Sequence, residues 1–565
     1  MLKYLAVALA GLAAPVAAQV SIPNPSQLPP GQQLERQSPA ATIQLPATVG
    51  LEIPEGAAAI SVKLAAVTLR GDLAGLPTVP QALLPAPGQQ VTLDEIYRTA
   101  LQVQQHYLDA GFPLVRVFVP VQNLNQDAAD ISISVVAGYI ARIDATALPA
   151  RTRTRVTHVL QSLVNRRNAT TAQIERAILL AGDTPGLTLS SALAPGDTTG
   201  ETVLILSGDY RVFDMMIAGD NRLAAEFGRN QVTGSLAFNN LFGQGERIGL
   251  TAATAGADFS FGPAALRRYA GLSIDLPIGT HGLQAGMDTV LSSSRLGGAL
   301  AQLQLESQFI RVAGRLAYPL VRNRQTSLQA RLQFDANSDK FLSLLLGFPV
   351  LLSRDETRVL RAGINGSQRI GRSMGAAFDM EYSHGLAGLG ARSAQDVGVD
   401  APLSRVGADA LFNKLVVDVR AESGLFRWPA ILRMTVRGQS SFGTALVRSE
   451  QFAGVSNDLV SGPPSGTMIV DQGVAGRTEL VLQALNGRFG LEPYLHVASA
   501  FGWLEQATAL EQPFTRLFGA GAGLRATVPL AGRLRLSLQA EFSQTNSNNP
   551  SLNGQWASLQ AATRF

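Results

Sequence analysis

From residue 209 to residue 565, apolar and polar residues alternate with a period of two in one segment after another. Ser327–Asp335 (SLQARLQFD) sets Leu328, Ala330, Leu332 and Phe334 on one face and Gln329, Arg331, Gln333 and Asp335 on the other. Residues 533–543 repeat the pattern, with Leu534, Leu536, Leu538, Ala540 and Phe542 set against Arg533, Arg535, Ser537, Gln539 and Glu541. A soluble sandwich would also alternate, but it would need a charged outer surface, and only 16% of the whole chain is charged against about 25% in an ordinary soluble domain. Helices do not carry the apolar excess. The longest apolar run, residues 341–352, is shorter than the roughly 20 residues a spanning helix needs and contains Gly347 and Pro349. A closed sheet is the other way to satisfy every backbone group in lipid, so the fold expected is a transmembrane antiparallel β-barrel. A charge facing lipid at mid-bilayer costs about 2–4 kcal/mol. Arg331, Arg533 and Arg535 are therefore assigned to the lumen, as are Arg433 and Arg437 of the alternating segment 431–437.

The chain ahead of the barrel divides by composition. Residues 1–18 (MLKYLAVALAGLAAPVAA) read as a signal peptide with a small-residue cleavage site, which implies export. Residues 19–57 form a Pro/Gln-rich linker with room for a short helix at 32–37. Residues 58–137 and 138–208 each read as a small α/β module. In the first, Thr92 and Glu95 stand at capping-box spacing before a helix whose apolar face is Ile96, Ala100, Val103 and Tyr107. In the second, helices fall at 151–164 and 171–181, with strands near Thr188 and at Thr202–Leu206.

Catalysis finds no foothold. Cysteine is absent, and His106, His158, His281, His384 and His496 stand apart without metal-ligand spacing. No P-loop or nucleophile elbow is present, and the +4 net charge is scattered, so no enzyme, cofactor, metal or nucleic-acid role is expected.

Two stretches carry a family resemblance. DEIYRTALQVQQHYLDAGFPLVRVFVPVQ resembles a polypeptide-transport-associated (POTRA) domain. The spacings Asp183, Pro185, Gly186 and Pro195, Gly196, Gly200 resemble the second such domain of two-partner secretion transporters, within the Omp85 superfamily. Asp220-Asn221, Gly228 and the turn Asn239–Glu246 resemble that family's first barrel hairpin. The resemblance implies a 16-stranded outer-membrane barrel with periplasmic POTRA domains, exporting a large β-helical partner protein without nucleotide hydrolysis. Outer-membrane lipid, lipopolysaccharide and the barrel-assembly machinery are its implied contacts, the last through a C-terminal strand ending at Phe565. An assembly factor of the same superfamily and a passive diffusion channel are the alternatives. The POTRA strands Leu114–Val121 and Thr202–Leu206 are the edges expected to receive the client.

One departure stands out against that family. Its members carry an Arg on a loop that folds into the lumen, paired with an Asp on a later strand. Here the loop motif falls on Val460, Ser461 and Gly462, and the Asp position on Ala498 or Ser499. Both charges are missing, so no ion pair is expected to hold this loop.

Overall fold

A computed structural model describes residues 42–44 and 53–565, apart from 124, 126, 257–258, 260, 263, 372, 398–400, 426–427, 483–484, 487–489 and 531–533. The leader, the helix at 32–37 and Arg533 lie outside the described residues.

Thr42–Gln44 forms β1. The first module comprises β2 (Ser61–Gly71), β3 (Gln90–Thr92), α1 (Leu93–Asp109), β4 (Arg116–Phe118) and β5 (Ala129–Val136), with sheet order β3-β2-β5-β4. The capping box starts α1 as expected: Thr92 Oγ1 accepts from the Glu95 N–H at 3.3 Å, and Glu95 Oε2 from the Thr92 N–H at 2.7 Å. Ile96, Ala100, Val103 and Tyr107 are then buried against Ile131, Ile133 and Val135 of β5.

The second module comprises β6 (Tyr139–Ala147), α2 (Ala150–Leu160), α3 (Thr171–Gly182), β7 (Leu187–Pro195) and β8 (Glu201–Tyr210). Its sheet runs β1-β7-β8-β6, with β1 parallel to β7. This corrects one expectation. Thr202–Leu206 lies in β8, an interior strand paired on both sides, so it offers no edge; the edge strand β7 is covered by β1.

Sixteen strands then close the barrel: β9 (Phe213–Asp220), β10 (Gln231–Asn239), β11 (Arg247–Ala255), β12 (Arg267–Ile278), β13 (Leu283–Arg295), β14 (Leu305–Arg322), β15 (Thr326–Ser343), β16 (Val350–Ile370), β17 (Met374–Gly385), β18 (Asn413–Gly424), β19 (Ala430–Ser440), β20 (Gln472–Leu482), β21 (Gly490–Trp503), β22 (Phe514–Pro529), β23 (Arg535–Ser547) and β24 (Gly554–Arg564). Alternation sorts side chains as the sequence requires: on β15, Leu332 is 46% exposed and its neighbour-but-two Asp335 is 0%. The seam between β24 and β9 pairs only from Gln560↔Asp220 to Arg564↔Met216. Beyond it, Asn221 Oδ1 accepts from the Leu559 N–H at 2.9 Å, so a side chain takes over where the ladder stops. At the other end Phe565 donates its N–H to the Met215 carbonyl at 3.0 Å.

The second module seats on the rim where the short turns lie. Arg322 makes a two-point pair with Asp183 (2.6 and 3.1 Å), and Arg176 donates to the Pro319 carbonyl at 2.7 Å. The turn Asn239–Glu246 forms a second seat. Asn240 Oδ1 accepts from the Gly245 N–H at 2.7 Å, while Asn240 Nδ2 donates to the Arg151 carbonyl of α2 at 2.9 Å.

Candidate functional site

The candidate site is the barrel lumen and the connection that fills it. Residues 441–471, between β19 and β20, leave the rim opposite the modules and fold back inside. Phe452, Val455, Leu459, Val460 and Met468 of this segment are buried in one cluster with Ala475, Ala498, Ala500, Leu517 and Leu552 of the surrounding barrel. Small wall residues make the room: on β21, Ala498 and Ala500 face inward where longer side chains would collide with the segment. Gly462 is a second requirement. Its φ is +124°, and a Cβ there would stand 2.9 Å from the Trp556 ring.

Of the two positions expected for the missing Asp, alternation selects one. Ala498 faces the lumen with Tyr494 and His496, whereas Ser499 lies on the lipid side with Leu495 and Val497; Ser499 is therefore removed as a partner. Ser461 does not depend on Ala498 for a polar contact. It is fully buried and accepts a hydrogen bond from Arg477 of β20, which is paired across the sheet with Ala498 itself. Arg477 also reaches Glu541 Oε2 at 2.7 Å and Glu479 Oε1 at 2.7 Å. Arg525 closes the cluster on Glu479 at 2.8 and 2.9 Å, and the Tyr494 hydroxyl donates to Glu541 at 2.8 Å.

The expectation that no ion pair holds the loop is overturned. Glu450, 2% exposed, binds Arg361 Nη2 of β16 at 2.7 Å and Lys414 Nζ of β18 at 2.6 Å. Asp458 binds Arg437 at 2.9 Å and Arg420 at 3.3 Å. Arg448 adds a pair of the opposite sense with Asp339 at 2.7 Å. Burial alone would raise the Glu450 carboxyl, but Arg361 and Lys414 outweigh it and hold the group down to about 2. Asp458 is held below its ordinary value against the same penalty, chiefly by Arg437. Three of these contacts put the cation on the wall, at Arg477, Arg361 with Lys414, and Arg437 with Arg420, and the acceptor on the loop.

Apart from Arg533, which lies outside the described residues, the other arginines assigned to the lumen are found there. Arg331 is bound by Asp379 and Glu381, and Arg433 lies 3.6 Å from Glu422 and 3.7 Å from Glu492. Arg437 contacts the loop, and Arg535 stands on the inward register of β23 with Gln539 and Glu541. Sequence reasoning placed Glu541 on the polar face of its strand but missed Arg477 and Glu479. The signal was present: GRTEL places Arg477 and Glu479 two apart, on the inward face of a strand otherwise lined there by small residues.

Comparison with known proteins gives the geometry its context. The family model for the haemolysin secretion/activation protein ShlB/FhaC/HecB matches residues 200–526, and that for the ShlB-type POTRA domain matches residues 63–138. Among solved structures, CdiB from Escherichia coli is 19% identical, with a TM-score of 0.68 over 92% of this chain and 94% of that one. CdiB from Acinetobacter baumannii is 15% identical, with a TM-score of 0.61 over 100% of this chain and 97% of that one. No curated protein matches the sequence. The closed 16-stranded barrel, the POTRA modules on its rim and the match over more than half its length place this chain in the ShlB/FhaC/HecB family of two-partner secretion transporters, in the outer membrane with its POTRA domains in the periplasm.

Proposed function

We propose that this barrel exports a large partner protein from the periplasm to the cell surface without nucleotide hydrolysis, and that residues 441–471 are the lid that closes it between transport events. The observation that carries this reading is the lumen itself: a returning loop packs against a wall whose small residues and arginines fit it. A passive channel has no use for two POTRA modules seated on its mouth. The client would be received at sheet edges, where an added strand gains backbone hydrogen bonds. β4 offers such an edge in the first module, and at β7 the client would compete with β1. Biogenesis through the barrel-assembly machinery, with β24 and Phe565 as its recognition segment, belongs to the same reading.

The test is export of a large β-helical exoprotein of the two-partner type, co-expressed with this chain in a host lacking both. The full chain should release it to the medium. Deletion of 58–208 should leave it in the periplasm while a heat-modifiable barrel persists in the membrane. Release by the truncated chain would overturn the receptor role of the modules, and retention with the full chain would overturn export.

A further inference from the structure

We infer that the outer wall of the barrel carries a binding site for a phosphorylated glycolipid of the outer leaflet, formed across β12, β13 and β14. The site lies at the rim opposite the POTRA modules, because β12 and β14 run from that rim toward the modules and β13 runs back. Register aligns three outward side chains in a row, Arg268↔Ser293 and Ser293↔Gln308. The next outward row toward the membrane interior is Ala270↔Leu291 and Leu291↔Ile310, both strongly exposed at Leu291 and Ile310. A polar row thus sits directly on an apolar one. Between them lies a shallow open groove, with Phe261 of the β11–β12 connection at its side. Its floor is the sheet itself at Tyr269 and Phe309, whose side chains point to the lumen face and pack there with Ala253 and Val290.

The charges choose the occupant. Among the described residues Arg268 makes no direct ion pair: its Nε donates to Ser293 Oγ at 3.2 Å, and its charge acts only at longer range on Glu306. The nearest acidic group in the next row, Glu306, is already engaged by Arg295 at 2.7 Å and by Gln308 Nε2 at 2.8 Å. A cation standing at the top of an apolar groove in this leaflet calls for an anion attached to an acyl chain. A sugar-linked phosphate supplies a net negative charge there. A zwitterionic phospholipid brings its own cation beside its phosphate and answers the charge less well. The groove then takes a length of one acyl chain along Ala270, Leu291 and Ile310, at the depth where the hydrocarbon begins.

The experiment uses the full chain purified in detergent and native mass spectrometry, with diphosphorylated lipid A, a zwitterionic phosphatidylethanolamine or inorganic phosphate added separately. Lipid A should be retained on the wild-type barrel and the other two should not. Arg268→Gln, which removes the charge, and Leu291→Trp, which fills the groove, should each lower retention about tenfold or more. Arg516→Gln is the control: Arg516 is an exposed, outward arginine at the same rim on β22, away from the groove, and its loss should change nothing. Heat-modifiability of each variant shows that the barrel has folded. Equal retention by wild type and Arg268→Gln would overturn the site. So would equal loss in Arg516→Gln, which would mean that any rim charge suffices. Equal retention of phosphatidylethanolamine would overturn the assignment to the glycolipid, and retention of inorganic phosphate alone would remove the acyl groove from it.

Discussion

Glu450→Gln tests whether the loop is held by charge. In the closed barrel Glu450 is 2% exposed, Lys414 7% and Arg361 9%, so the three groups meet out of water. Arg361 keeps Asp335 when the Glu450 carboxylate is removed, but Lys414 is left with the Glu450 backbone carbonyl at 3.1 Å. Removing one partner of a buried pair leaves an uncompensated charge and costs about 3–5 kcal/mol. That cost falls on the closed state alone, because Lys414 is hydrated once the loop has left. At 1.4 kcal/mol per factor of ten, the ratio of open to closed should rise by roughly a hundredfold to a few thousandfold. Removing both groups as Glu450→Gln with Lys414→Met should return the barrel close to wild type, since no buried charge is then orphaned. The assay is the fraction of time spent at the large conductance level by single barrels in a planar bilayer. A locked reference is available because the chain has no cysteine. Val460 Cγ1 lies 3.3 Å from where a Cβ on Gly519 would stand, so Val460→Cys with Gly519→Cys should tie the loop to β22 on oxidation and silence the large level. A single variant within tenfold of wild type would refute the argument, as would a double variant as open as the single.

Further expectations rest on neighbouring contacts. Ser461→Arg brings a cation against Arg477, so large-conductance openings should increase, and adding Ala498→Asp should not restore quiet gating until Arg477→Ala is also present; full rescue by the first pair alone would show that Arg477 does not hold Ser461. Acidification should open the barrel only at low pH. The Glu450 and Asp458 carboxyls are depressed in the closed state, so their contribution is whole above the ordinary carboxylate value near 4.5 and is lost as pH falls from there toward about 2. Conductance traces from pH 9 to 5 should therefore match, and openings beginning at pH 6 would contradict the assignment. Arg322→Ala removes the two-point pair with Asp183, a partly buried contact worth about 1–2 kcal/mol, and should increase protease cleavage within 138–208 about tenfold without changing the barrel.

The barrel was legible because alternation is local. Each strand announces its two faces within ten residues, and Arg331, Arg433, Arg437 and Arg535 follow from that rule alone. The same rule, applied to LEPYLHVASAFGW, separates Ala498 from Ser499, since Tyr494, His496 and Ala498 share one parity. The misplaced POTRA edge has a similar remedy. Between the modules β2 corresponds to β6, β5 to β8 and β4 to β7, so if β4 is an edge the equivalent strand is β7, and Thr202–Leu206 falls in the middle. What alternation does not carry is which inward charge meets which. Glu450 with Arg361 and Arg477 with Glu541 join residues 89 and 64 apart in the chain across the lumen.

That limit explains the reversed latch. A loop arginine answering a wall aspartate and a loop hydroxyl answering a wall arginine meet the same requirement: a polar group drawn into a crowded lumen must find a partner of opposite character. Moving the cation to the wall has a consequence of its own. The wall charges remain in the pore when the loop leaves, so the open lumen is lined by Arg477, Arg361, Lys414, Arg437 and Arg420 without their loop partners. Glu541, Glu479, Asp335 and Asp418 stay behind and balance Arg477, Arg361 and Arg437. Lys414 has Glu450 as its carboxylate partner in the closed state, so it gains most from a replacement. A passing client with a carboxylate at the height of β18 would supply one. Under the proposed export function, closing again would require Glu450 to take that place back, so the return of the loop would compete with the last acidic residue of the client.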